Sequence, residues 1–166
     1  MPEITALGWF HTAMGIVALV SGAYTLARFR EIVPQNRSAH VYLVTTLVTA
    51  GTALAIFQHG GFGVAHALAV LTLAALAVGV TAATTRLFGK LSRYVQALSL
   101  SATLFFHSVP AVTDALLRLP VGNPLVTSIE DPLMTMSHLV LLLLFVLGVS
   151  VQLAWIYRQE RFRDQD

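Results

Sequence analysis

Five apolar stretches of about twenty residues succeed one another along the chain, at roughly 7–29, 39–58, 62–85, 92–117 and 133–157. At 1.5 Å of rise per residue, each is long enough as a helix to cross the roughly 30 Å hydrocarbon layer of a bilayer. The pattern predicts an all-α fold, an integral membrane bundle of five transmembrane helices making one domain over residues 1–166. The breaks between stretches carry turn residues. Pro34 closes the first connection, Gly60, Gly61 and Gly63 mark a tight turn between spans two and three, and Gly89 separates three from four. The segment from Arg118 to Pro132 holds three prolines. Its last two residues, Asp131 and Pro132, read as an N-cap followed by proline at the first helical position.

Composition agrees with a bilayer setting. Hydrophobic residues make up 56% of the chain and charged residues 11%, against about 25% charged in soluble domains. No cysteine is present, which removes disulfides, iron–sulfur clusters, thiolate metal sites and thioether-linked haem from consideration. Met1 to Phe10 has no Lys or Arg and the apolar run behind it is too long for a signal-peptide core, so a retained first helix is expected.

Charge changes the picture by sorting the loops. Arg28, Arg30, Arg37, Arg86, Lys90, Arg93, Arg158, Arg161 and Arg163 fall on one side of the expected bundle and only Arg118 on the other. The positive-inside rule then places the N-terminus outside and the C-terminus in the cytoplasm. Glu3, Asp114, Glu130 and Asp131 fall on the outer side. With topology explaining the basic residues, nucleic acid is not an expected ligand; the expected partners are the lipid bilayer and a second copy or a larger membrane complex.

Lipid gives helices no hydrophobic reason to associate, so close packing needs small residues at helical spacing. Span one offers Gly15, Ala18, Gly22 and Thr25, and span two Tyr42, Thr45, Thr49, Thr52 and Ala53. Span three is crowded with alanine between Ala65 and Ala77.

Span four is different. Gln96, Thr103, His107, Asp114 and Arg118 fall along one face, with Ser99 beside it, and Pro110 removes the donor that would serve the Phe106 carbonyl. Such a stripe must face protein or a hydrated cavity, and ionisable groups inside a span are functional candidates. Asp114 and Arg118, four residues apart near the outer end, also suit a simple ion pair. Of six histidines, His11, His59, His66, His107 and His138 fall toward the outer side and only His40 toward the cytoplasm. Imidazole ligates metals and haem and exchanges protons near neutral pH. His66 and His107 are the preferred cofactor ligands, with His11 and His138 as alternates. No His-x-x-His or His-Glu-x-x-His spacing is present.

The segments "GGFGVAHALAVLTLAALAVG" and "RYVQALSLSATLFFHSVPAVTDALLRLPVGNPL" resemble those of bacterial predicted membrane proteins in a domain-of-unknown-function family. The likeness rests on Gly60, Gly61, Gly63 and His66, then on Phe106, His107, Pro110, Arg118, Leu119 and Pro120. Asn36-Arg37 stands where such proteins often carry His-Arg. The resemblance implies the membrane fold, in a bacterial inner (cytoplasmic) membrane, and no particular activity.

The leading functional expectation is a small inner-membrane protein whose outward histidines bind haem b or a metal ion, as an electron-transfer or accessory subunit. Phe105, Phe106 and Phe145 are placed to wall a haem. A proton-coupled carrier, with Gln96, Thr103, His107 and Asp114 lining a path, is the first alternative. The second is a non-catalytic structural subunit. No nucleophile–base–carboxylate set supports hydrolysis.

Overall fold

The computed structural model describes residues 4–57, 61–85 and 87–163. Glu3, His59, Gly60 and Arg86, and the side chain of Arg163, lie outside the described residues. Five α-helices follow in order: α1 (Ala6–Phe29), α2 (Arg37–Ala53), α3 (Val64–Thr85), α4 (Ser92–Arg118) and α5 (Pro132–Arg163), with a short 3₁₀ turn at Gly89–Leu91 leading into α4. Four of them, α1, α3, α4 with its leading turn, and α5, are long and apolar enough to cross a membrane.

The helix ends follow from local chemistry. Thr5 caps α1 by accepting from the Gly8 amide at 3.1 Å. At its other end Arg30 takes a left-handed conformation (φ 63°) so that its amide reaches the Leu26 carbonyl at 2.8 Å. Asp131 opens α5 as expected, its carboxylate accepting from the Leu133 amide at 2.8 Å. The expected second span ran to residue 58, but α2 stops at Ala53. The Thr52 hydroxyl there donates back to the Val48 and Thr49 carbonyls, and the next amides, of Ala55 and Ile56, reach back only three residues. Back-bonding hydroxyls and a tightened last turn end the helix before its apolar sequence ends.

Helix α4 is the hub, packed against α1, α3 and α5, while α1 also lies along α2 and α2 along α3. Small residues set the spacing. A Cβ on Gly22 would lie 2.8 Å from the Tyr42 ring, and one on Gly79 would lie 2.5 Å from Leu100, so α1 meets α2 and α3 meets α4 at distances only glycine permits. Ala18, Tyr42, Leu76 and Leu100 form the centre of the core. Gly22, Thr25 and Ala18 of the expected stripe are buried, as are Tyr42, Thr45 and Thr49.

A polar knot joins the basic end of the bundle. Glu31, on the link after α1, is buried and takes two hydrogen bonds from Arg93 of α4, one of them from Nε at 2.9 Å. Gln96 donates to the Ile32 carbonyl at 2.9 Å, and Gln152 of α5 donates to the Arg30 carbonyl at 2.7 Å. Arg30 and Arg93 both lie over the Trp155 ring. Buried carbonyls at a helix end need partners; here α4 and α5 supply them.

Candidate functional site

At the opposite end from the knot, His11 of α1 and His107 of α4 line one cavity of about 70 Å³. Its remaining walls include Thr49 and Ala53 from α2 and Ala69 and Thr72 from α3. Small side chains on α2 and α3 make this space. Packing that brings helices close also leaves little bulk between the two imidazoles.

The hydrogen bonds fix one nitrogen of His11. Its Nδ1 lies 3.1 Å from the Thr49 carbonyl and 3.1 Å from the Thr52 hydroxyl. A carbonyl only accepts, so Nδ1 carries the hydrogen and, in the neutral ring, Nε2 is the basic nitrogen. The Thr52 hydrogen is used on carbonyls of its own helix, leaving its oxygen free to accept. His107 is 8% exposed, and its buried Nε2 has no hydrogen-bond partner among the described residues. Buried ring nitrogens ordinarily find one. The Asp114 side chain is 63% exposed.

The other expected site residues are dispersed. His66 sits at the start of α3, its ring 4.6 Å from that of Phe57 and 5.2 Å from that of Phe62. The Gly63 amide donates to His66 Nδ1 at 3.2 Å, so in the neutral ring the hydrogen is on Nε2, which is buried without a partner among the described residues. The one ring lone pair, on Nδ1, is thereby engaged by the Gly63 amide. His66 is not among the residues lining the His11–His107 cavity. His138 Nε2 lies 2.9 Å from the Thr113 hydroxyl, whose hydrogen goes to the Val109 carbonyl, so His138 is the donor. It ties α5 to α4.

The polar stripe of α4 divides in two. Gln96, Thr103 and His107 are buried. Gln96 belongs to the knot, and Thr103 lies 2.5 Å from the Tyr42 hydroxyl while donating to the Leu100 carbonyl at 2.7 Å. Beyond Pro110, across which α4 runs unbroken, Asp114 emerges and pairs with Arg118 at 3.4 Å. That is an ion pair without hydrogen-bond geometry, since Arg118 Nε has no hydrogen-bond partner among the described residues. Phe105 and Phe145 stack 5.0 Å apart, away from the His11–His107 cavity, which Phe106 lines.

Among the described residues, no three His, Cys, Asp or Glu side chains come together as a metal site. Sequence reasoning passed over Glu31 and Gln152, which hold the knot. The signal was available for Glu31, an acid set among Arg28, Arg30 and Arg37. Comparison with protein-family models, curated proteins and solved structures finds no match.

Proposed function

We propose that this is a five-span bacterial inner-membrane protein, N-terminus outside and C-terminus cytoplasmic, in which His11 and His107 form a proton-exchanging site in the outer half of the bilayer, as a proton-coupled carrier requires. The observation that carries this is the convergence of two imidazoles, from helices far apart in sequence, on one small cavity. Support for the topology comes from the arginines gathered at the knot. The fifth crossing is α2, whose 17 residues span about 26 Å as a helix and are extended by the apolar residues Leu54–Phe57.

The cavity suits water and protons. Its 70 Å³ is several times the about 10–15 Å³ that one water needs. His11 is oriented through Nδ1, leaving Nε2 to take up a proton. Its size favours water and protons over haem: ligands of drug-like size occupy about 300–1,000 Å³, and His66, the expected second ligand, has its Nδ1 lone pair engaged by the Gly63 amide.

Proteoliposomes loaded with a pH-sensitive dye test this. Under an imposed potassium diffusion potential, the wild-type protein should acidify the lumen faster than protein-free vesicles, and His107→Ala should slow it by about tenfold or more. Wild-type vesicles no faster than empty ones would overturn the proposal. A Soret band that disappears in His107→Ala would replace it with haem binding.

A further inference from the structure

A second cavity lies toward the basic end, between α1, α4 and α5, and shares no lining residue with the histidine site. At about 880 Å³ it falls within the size range of small-molecule sites. Its α5 wall runs from Leu141 to Arg158, about 26 Å of helix, longer than one leaflet of a roughly 30 Å hydrocarbon core. Most of the lining is aliphatic or aromatic. The polar atoms on it are already committed: Ser101 donates to Gln152, Ser108 to the Leu104 carbonyl, and Gln152 to the Arg30 carbonyl. The groove is therefore apolar in effect along its length.

One end differs. Arg30 and Arg158 both line the groove and both are exposed. Among the described residues neither forms an ion pair and no acidic residue lines the groove. Arg30 is held in place because its left-handed backbone is bonded on both sides, to Leu26 and to Gln152, and its guanidinium lies over Trp155. An apolar slot ending in two unpaired arginines is complementary to one class of molecule, an amphiphile with an anionic head and a long hydrocarbon tail.

We infer that the groove between α1, α4 and α5 binds an anionic phospholipid, with an acyl chain along Phe105, Phe145 and Gly148 and the phosphate against Arg30 and Arg158. Gly148 lines the groove and is exposed. A Cβ built there meets nothing within 4 Å, so a larger side chain on this wall of the groove is tolerated by the helices and competes with the chain for space.

The test uses the full chain in phosphatidylcholine bilayers, with Trp9→Phe so that fluorescence reports on Trp155 alone. Phosphatidylglycerol carrying brominated acyl chains is added in increasing proportion, and brominated phosphatidylcholine serves as the uncharged control. Quenching by the anionic lipid should be saturable and reach half-maximum at about fivefold lower mole fraction per participating arginine than the control. Gly148→Leu should move the anionic curve onto the control, and Arg158→Gln should shift it by about fivefold, with helical circular dichroism unchanged in both. Superimposable curves for the two lipids, or a Gly148→Leu variant that quenches as wild type does, would overturn the inference. So would a dimer in native mass spectrometry that Gly148→Leu dissociates, since a second copy would then be the occupant.

Discussion

Replacing Gly79 by Ala probes the contact that fixes α3 against α4, and so the width of the cavity between the helices. The new methyl group would sit 2.5 Å from Leu100 Cδ2, 2.6 Å from Leu100 Cγ and 3.3 Å from Ser99 Cβ, where carbon atoms prefer about 3.5–4.0 Å. Leu100 is fully buried, and the crowding reaches its Cγ rather than only its flexible tip. Relief therefore requires α3 to move outward by about 1 Å, at the about 1–3 kcal/mol typical of overpacking. Alanine recovers about 0.5–1 kcal/mol of backbone entropy over a helical glycine, so a net loss of about 1–2 kcal/mol is expected. Unfolding by sodium dodecyl sulfate in mixed micelles, followed by circular dichroism, measures it. Leu100→Ala alone should cost about 2–5 kcal/mol, and the double variant should lose less than the sum of the singles by about 1 kcal/mol or more, because the added methyl enters the space that Leu100 vacates. A Gly79→Ala protein as stable as wild type, with additive losses in the pair, would refute the close contact.

At the knot, Glu31→Gln leaves Arg93 without its carboxylate. Breaking a buried pair costs about 3–5 kcal/mol, but Arg93 is 29% exposed, so a loss of about 1–3 kcal/mol in the same unfolding assay is expected. Arg93→Lys should behave similarly, since an ammonium does not reproduce the two-pronged bond. Tyr42→Phe should cost about 0.5–1.5 kcal/mol, because Thr103 keeps its bond to the Leu100 carbonyl. For topology, a fluorescent protein fused at the C-terminus should fold in the cytoplasm and a phosphatase fused there should be inactive. The reverse pattern would invert the proposed orientation.

Much of the helical architecture was legible in the apolar runs. The expected spans 7–29, 62–85, 92–117 and 133–157 lie close to α1, α3, α4 and α5, because in so apolar a chain the helix ends coincide with the first polar or turn residues. Span two was overextended by five residues, since hydropathy does not register hydroxyls that bond back to their own helix. The site was only partly readable. A stripe on α4 correctly singled out Gln96, Thr103 and His107 as interior, but its continuation past Pro110 came to the surface at Asp114. Which histidines meet depends on helix rotation and on glycine contacts between distant elements, so His11 and His107 share a cavity while His66 turns to Phe57 and Phe62. The knot depended on links between elements, such as Glu31 to Arg93, that no periodicity within one helix encodes.

If His11 and His107 act as one proton-exchanging unit, their removal cannot be felt twice. Proton flux into dye-loaded proteoliposomes should be compared for wild type, His11→Gln, His107→Ala and the double variant, at equal protein incorporation. Residues that act as a unit are strongly non-additive, so the double variant should conduct no less than the more severe single one, with both singles well below wild type. Losses that multiply in the double variant, or single variants that conduct as wild type does, would contradict a shared site.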